Sequence, residues 1–184
     1  QQGEKNKGKL LLREIQQQLS SLGSKQQKQQ AILLLSATID LLLKNKYLSR
    51  KKLLNYINLY GEHSIARRYL ATIALQDGAY ELASRHIDKA LMLSSNDAEL
   101  YSLAAYIYQY VDHNKQLALL AQAAEQLNFP PKIMEQYIGA LITQNKRQTA
   151  LQLLEKYADN SKLTNKTLLA YMQLDAGLLE QASQ

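Results

Sequence analysis

The sequence predicts an all-α protein built from stacked antiparallel helical hairpins. Small or apolar residues recur at Ala83, Leu117, Ala150 and Ala182, which are 34, 33 and 32 residues apart. Between these positions, apolar residues follow the three- and four-residue spacing of helices. The 184 residues include two prolines and seven glycines, which favours long helices over a turn-rich sheet. This repeat indicates hairpins that bury their apolar faces only by stacking on one another.

The chain divides into an N-terminal region and a repeat region. Residues 1–9 are polar and charged and contain glycine, so we expect a disordered basic arm there. Residues 10–29 are predicted to form an N-terminal helix and a linker, because their apolar residues have helical spacing as far as Gly23. The remainder, 30–184, divides into five approximate repeats, the last of them partial: 30–63, 64–97, 98–130, 131–162 and 163–184.

The repeat at 64–97 resembles a tetratricopeptide repeat. Gly78 corresponds to the family's glycine at the hairpin turn, Tyr80 to the aromatic residue after it, and Ala83 to the small residue where the two helices cross. The apolar positions of the family's second helix are Ile87, Ala90 and Leu91. The resemblance covers about 30–184 and is best over 64–130. It departs from the family where Arg67 and Tyr101 stand in the usual tryptophan position. The resemblance implies a right-handed superhelix whose first helices line a concave groove that binds peptides or protein partners.

Positions expected to face this groove follow from the repeat frame. They are Arg68, Thr72, Gln76, Ser102, Tyr106, Gln109, Tyr110, Glu135, Gly139, Thr143, Thr167 and Tyr171. Bulky Ile138 falls where the family has a small residue, so the adjacent Gly139 is expected to make the close contact between helices. Only Arg68 in this set resembles part of a charged clamp for a terminal carboxylate. The sequence therefore predicts a groove of tyrosines and amides.

Four tyrosines on one predicted helix divide into two pairs. Tyr101 and Tyr108 are seven residues apart and belong to the packing frame, so we expect them in the core. Tyr106 and Tyr110 are four apart and lie on another face. They either cover a neighbouring helix or form an aromatic pair that faces a ligand, a role suited to tyrosine because it combines contact area with a polar tip.

The net charge of +6 is concentrated in the N-terminal third. Residues 1–63 carry eleven Lys and Arg against four Asp and Glu, a net +7, whereas 64–184 carry a net −1. One run of this charge is a basic patch: Lys44, Lys46, Arg50, Lys51 and Lys52. The first interpretation is a solvated loop between helices; the second is a surface for nucleic acid or anionic lipid.

Catalytic and metal-binding patterns do not emerge from the sequence. The chain has no cysteine, which excludes disulfides and thiolate metal sites. His63, His86 and His113 fall in separate hairpins without zinc-site spacing, and are expected at the surface or in loops. No nucleophile, base and orienting group are brought together. We therefore expect no enzyme activity, no cofactor and no metal.

The leading functional interpretation is a non-enzymatic scaffold that binds a peptide or partner protein in the groove. The resemblance implies, more narrowly, an assembly factor for a bacterial envelope, pilus, secretion or polysaccharide system. Because the chain begins with Gln1 rather than Met and has no apolar run of roughly 18 residues, an upstream membrane anchor is left open. Localisation accordingly leans towards the bacterial periplasm or a membrane-anchored form, with the cytoplasm as the alternative. A protein partner is favoured over nucleic acid bound through 44–52; self-association through the end hairpins is a third interpretation.

Overall fold

A computed structural model describes residues 2–128 and 130–157. All regular structure in this part of the chain is α-helical, which confirms the predicted fold class. The helices are α1 (Gln2–Ser21), α2 (Ser24–Gln27), α3 (Gln30–Leu42), α4 (Lys46–Tyr60), α5 (Ser64–Gln76), α6 (Tyr80–Leu93), α7 (Ala98–Tyr108), α8 (His113–Gln126), α9 (Pro131–Thr143) and α10 (Arg147–Tyr157). The predicted last repeat, 163–184, with Thr167 and Tyr171, lies outside the described residues.

The first helix is longer than the sequence predicted. We expected residues 1–9 to be a disordered arm, but α1 begins at Gln2 and continues without a break to Ser21. Gln, Glu and Lys have favourable helix propensities, which offset the cost of Gly3 and Gly8. Once the apolar turns after Leu10 have formed a helix, each residue added before them gains a hydrogen bond without a new nucleation cost.

Consecutive helices pair as antiparallel hairpins: α3 with α4, α5 with α6, α7 with α8, and α9 with α10. Three of the connecting turns contain a residue with positive φ, namely Lys44 at 66°, Gly78 at 72° and Asn145 at 59°. Only glycine adopts this left-handed conformation without steric cost, and asparagine is among the more tolerant of the other residues. The chain therefore reverses direction at these turns by the same backbone conformation with different side chains.

The first turns of α7, α8 and α9 are stabilised by residues at or next to their N-termini. The Asp97 carboxylate accepts hydrogen bonds from the backbone N–H groups of Glu99 and Leu100 at the start of α7. Asp112 does the same at the start of α8. Pro131 occupies the first turn of α9, where a missing N–H costs nothing. These caps satisfy donors that have no partner inside the helix.

The chain forms two compact units, residues 1–95 and 96–184. In the first unit, apolar residues of α3, α4 and α5 form one core cluster, with Leu33, Leu53 and Ile73 among its members. Ala83, at the predicted helix crossing of the α5–α6 hairpin, is fully buried. In the second unit, Ala150 is likewise fully buried, as its place in the repeat frame predicted. No helix in the described part of the chain is long and apolar enough to cross a membrane.

Candidate functional site

A cavity of about 290 Å³ opens between α7, the start of α8 and α9 in the second unit. We call it the α7–α9 groove. Its lining residues are Tyr106, Gln109, His113, Gln116, Gln136, Gly139, Ala140, Thr143 and Gln144. Four of the positions predicted to face the groove are among them: Tyr106, Gln109, Gly139 and Thr143. The described lining contains no Asp, Glu, Lys or Arg, so the groove presents aromatic and amide chemistry.

Tyr106 and Tyr110 form an exposed aromatic pair at one side of the groove. Their rings meet edge to face, with centroids 5.7 Å apart and an angle of 80° between the ring planes. The two hydroxyl oxygens are 3.3 Å apart. Tyr106 is 46% exposed and Tyr110 48% exposed, so both keep a large accessible surface. Tyr101 and Tyr108 are buried, as the packing frame predicted, and the Tyr101 hydroxyl donates to Gln126.

Glutamine side chains supply most of the polar atoms in the groove. The Gln144 amide nitrogen donates to the backbone carbonyl of His113 at 2.9 Å, and that of Gln136 donates to the carbonyl of Ser102 at 3.1 Å. The Gln136 Oε1 atom is buried and accepts no hydrogen bond from any described residue. Gln116 is only 8% exposed, and its side-chain amide makes no hydrogen bond to a described residue. Its amide atoms are not among the buried atoms without a partner, so they stay accessible from the cavity. The groove therefore contains unused hydrogen-bonding capacity.

Gly139 has only one of the two roles predicted for it, because it lines the groove but makes no close contact between helices. It was expected to be the close-contact residue between helices, but a Cβ placed at this position would meet no atom within 4 Å. Gly139 instead lies in the middle of α9, exposed, and lines the groove. Glycine inside a helix is less stable than alanine by about 0.5–1 kcal/mol. No described contact within the protein compensates for this cost.

The other predicted groove positions of the second unit are placed differently. Ser102 is 6% exposed, so its side chain is withdrawn from solvent, and its carbonyl is bonded to Gln136. Glu135 is exposed on α9 but does not line the cavity. Thr143 lines the cavity and donates its hydroxyl hydrogen to the Gly139 carbonyl. The cavity thus takes lining residues from α7 and α9, two helices selected by the repeat frame, but not every position predicted on them.

Three predicted groove positions fall in the first unit. Arg68, Thr72 and Gln76 are spaced four apart on α5 and share one helix face. The Thr72 hydroxyl donates to the Arg68 carbonyl, and the Arg68 guanidinium lies 5.4 Å from the centre of the Tyr69 ring. Gln76 is exposed at the end of the helix. These residues belong to a separate unit and do not line the α7–α9 groove.

The basic patch is largely engaged within the protein. Lys46 and Arg50 both form ion pairs with Asp77, and their hydrogen bonds lower the pKa of that carboxyl. Lys52 pairs with the fully buried Asp40 at 2.6 Å and also donates to the Ser36 hydroxyl.

The remaining two basic-patch residues, Lys44 and Lys51, are exposed. The five cations of the patch are therefore not an unopposed positive surface.

A second ionic cluster surrounds Arg67, in the position where the repeat family usually has tryptophan. Its guanidinium donates to both carboxylate oxygens of Glu62, which lowers the pKa of that group. Another guanidinium nitrogen lies 3.0 Å from His86 Nδ1. Burial, and then the charge of Arg67, lower the pKa of His86 to about 4. The imidazole is therefore neutral at pH 7 and accepts a hydrogen bond from Arg67. The sequence had placed this partly buried histidine at the surface or in a loop.

Sequence reasoning missed Gln116 and Gln136 as groove residues. The repeat frame considered only the first helix of each hairpin, whereas Gln116 comes from the first turn of the second helix α8. On α9, the frame selected Glu135, while the adjacent Gln136 lines the cavity. One signal for this face was present: a glycine in the interior of a predicted helix indicates either close packing or an approach by another molecule. The described residues also contain no group of three side chains suited to hold a metal.

Comparisons with known proteins identify the fold. The chain is similar to solved structures of MamA (TM-score 0.72, 13% identity, covering 85% of this chain and 92% of MamA). It is also similar to YrrB, described as a TPR protein with an unusual peptide-binding site (TM-score 0.65, 12% identity, covering 84% and 81%). A tetratricopeptide repeat protein from Parabacteroides merdae gives a TM-score of 0.65 at 17% identity, covering 97% and 70%. The fold is tetratricopeptide-like. No family model matches the sequence, and no curated protein does.

Proposed function

We propose that this protein is a non-enzymatic protein-interaction module that binds a peptide segment of a partner in the α7–α9 groove. The observation that carries the proposal is the exposed Tyr106–Tyr110 pair beside a cavity whose amides have unused hydrogen-bonding capacity. Tyrosines of this kind are frequent binding anchors because they bury a large area while losing little side-chain entropy. The adjacent amides are suited to the N–H and C=O groups of a peptide.

The comparisons support the same function. YrrB has the same fold and is described as having a peptide-binding site. The broader resemblance also motivates the narrower proposal of an assembly factor for a bacterial envelope, pilus, secretion or polysaccharide system. That role requires that the groove hold a component of the assembly long enough to position it. The geometry of the groove supports the first step, the capture of a peptide segment.

The electrostatic alternative receives less support from the structure. A surface for nucleic acid gains its affinity from cations that neutralise phosphates. Three of the five basic-patch residues are already paired: Lys46 and Arg50 with Asp77, and Lys52 with Asp40. A phosphate would have to displace these carboxylates. We therefore place the binding function in the groove.

Selection from a displayed library of random 12-residue peptides tests the proposal. Peptides that bind the wild-type protein are measured against the Tyr106→Ala, Tyr110→Ala double variant. We expect that binding weakens by about 1–3 kcal/mol, which is roughly tenfold to 150-fold, because both aromatic anchors are removed. The ring surfaces are already solvent-accessible, so the fold should remain intact by circular dichroism.

Tyr47→Ala provides the matched control, because Tyr47 is a tyrosine on α4 that is 72% exposed and lies far along the chain from the groove. It should bind the selected peptides as well as the wild type. Equal binding by the double variant would contradict the groove proposal. Binding that disappears in moderate salt but ignores the tyrosines would instead point to the basic patch.

A further inference from the structure

We propose that the α7–α9 groove selects a carboxamide side chain, that of glutamine or asparagine, on the segment it binds. This inference rests on the proposed function and adds the chemistry of the bound residue. Three features of the groove lead to it: the absence of ionic groups among its described lining residues, the unpaired amide of Gln116, and the open space at Gly139.

The first feature excludes charged side chains. The polar lining atoms belong to tyrosine, threonine, histidine and glutamine. An ammonium or carboxylate that entered this cavity would lose hydration and find no counter-ion among the described lining residues. A neutral polar group loses much less hydration and can replace it with hydrogen bonds.

The second feature selects a group that both donates and accepts. Gln116 is 8% exposed and lines the cavity. Its side-chain amide offers both a hydrogen-bond donor and an acceptor there. The Gln136 amide is held by the hydrogen bond from its Nε2 atom to the Ser102 carbonyl, which leaves its Oε1 atom buried and without a donor among the described residues. A carboxamide supplies an N–H₂ group and a C=O group side by side, so it can pair with the donor and the acceptor of the Gln116 amide at once. A hydroxyl donates and accepts through a single oxygen, so it cannot form these two parallel hydrogen bonds.

The third feature provides the room for this side chain. A Cβ at Gly139 would project into open space within the groove, since no protein atom lies within 4 Å of it. The glycine therefore widens the groove at the cost of helix propensity. The volume of about 290 Å³ is close to the lower end of the range for ligand pockets, which matches one side chain and its main-chain atoms.

The test uses three small probes of equal length: N-acetyl-glutamine-N-methylamide, N-acetyl-glutamate-N-methylamide and N-acetyl-methionine-N-methylamide. Each is titrated into the full chain at pH 7, and the side-chain amide signals of Gln116 and Gln136 are followed by NMR. We expect that the glutamine probe shifts these signals and that the other two bind about tenfold more weakly or not at all. All three probes share the same main-chain amides, so equal shifts would overturn selection of the side chain.

Two variants provide a second readout that a purely structural role would not produce. Gln116→Met replaces an amide that makes no hydrogen bond to a described residue, and Gly139→Ala adds a favourable helix residue. We expect Gln116→Met to change the melting temperature by less than about 2 °C and Gly139→Ala to raise it by about 1–4 °C. Both should nevertheless weaken binding of the glutamine probe by about tenfold, one through a lost hydrogen bond and the other through lost space. Gln122→Met, at an exposed position on α8, should leave probe binding unchanged.

The outcomes separate this inference from the proposed function. If Gln116→Met lowers the melting temperature and leaves probe binding unchanged, the Gln116 amide is structural and the inference is wrong. If the library peptides bind through the two tyrosines but contain no essential Gln or Asn, the groove binds peptides and the carboxamide selection fails. If the glutamine probe binds as proposed while no library peptide does, the failure lies in the proposed function.

Discussion

The two units of this protein hold their polar groups by different means. In residues 1–95, the buried polar residues Ser49 and Ser84 are accompanied by two charged ones that are paired: Asp40 with Lys52, and Arg67 with Glu62. Among the described residues of 96–157, the polar side chains that are buried or line the cavity include no Asp, Glu, Lys or Arg, and several are glutamines. The first unit carries fifteen Lys and Arg against seven Asp and Glu; the second carries seven against nine.

This difference shows that charge and function need not coincide. A surplus of +8 in the first unit invites an electrostatic function, yet much of its local charge is used to join helices. The nearly neutral second unit contains the Gln116 amide and the Gln136 Oε1 atom, neither of which bonds to a described residue. A group already paired inside the protein is expensive to recruit for a ligand, whereas an unpaired buried amide gains when one arrives.

Lys52→Met should produce the largest change, because it leaves the fully buried Asp40 without its cation. We expect a loss of about 3–5 kcal/mol in the free energy of unfolding, the range for breaking one side of a buried pair. Urea denaturation followed by circular dichroism measures this loss. Hydrogen exchange should show that protection falls in α1, α3 and α4, the helices that Gln16, Asp40 and Lys52 connect.

The double variant Asp40→Asn, Lys52→Met provides the control. It removes both charges, so much of the lost stability should return. If Lys52→Met alone costs less than about 1 kcal/mol, the pair behaves as a surface salt bridge and the contrast between the units disappears.

Ala83→Leu and Ala150→Leu test whether the units share the same hairpin packing. Both alanines are fully buried, one in each unit, so the added carbon atoms must displace their neighbours. We expect each variant to lose about 1–3 kcal/mol. Thermal denaturation with hydrogen exchange assigns each loss to a unit. A normal melting temperature for either variant would show that the repeat frame is wrong at that position.

The third and smallest effect is a pH dependence confined to the first unit. Burial and Arg67 lower the pKa of His86 from 6.5 to about 4 in the folded protein, so folding favours the neutral imidazole. The resulting stability is complete above pH 6.5 and is lost as the pH falls towards 4. The lowered pKa of Glu62 adds a loss in the same direction at pH values below about 4.5.

We expect the His86 contribution to be about 1–2 kcal/mol, after allowing for solvent screening of this half-buried group. Melting temperatures between pH 7.5 and 4 measure it. His86→Gln should flatten the slope between pH 6.5 and 4, whereas His113→Gln, at an exposed position, should retain it. If the melting temperature of His86→Gln falls with pH as steeply as that of the wild type, the loss of stability in acid comes from carboxylates and not from His86.

The hairpins and much of their core could be predicted from the sequence. Small residues spaced by the repeat marked Ala83 and Ala150, and seven-residue spacing marked Tyr101 and Tyr108; all four are buried. These predictions succeeded because the repeat period and helical periodicity together determine which residues pack at the crossing of two helices.

Pairings between distant residues could not be predicted in the same way. Asp40 lies twelve residues from Lys52, and its second partner, Gln16, lies on another helix. Gln116 lines the groove because α8 packs next to α7 and α9. The local sequence pattern around Gln116 does not predict this packing. Ser102 was predicted to face the groove but is buried. Its burial could not be predicted because a small hydroxyl side chain fits either in a core or at a surface.

Three of the hairpin turns contain a residue in the left-handed backbone conformation, and the three residues are different amino acids: lysine, glycine and asparagine. Lys44 and Gly78 are 34 residues apart, and Asn145 follows Gly78 by 67, nearly twice that interval. The angle therefore recurs at three hairpin turns on three different amino acids, whereas the described turn between α7 and α8 has no residue with positive φ. A turn that three different amino acids can form leaves little pattern in the letters of a sequence, whereas the helices it joins superpose on those of MamA at 13% identity.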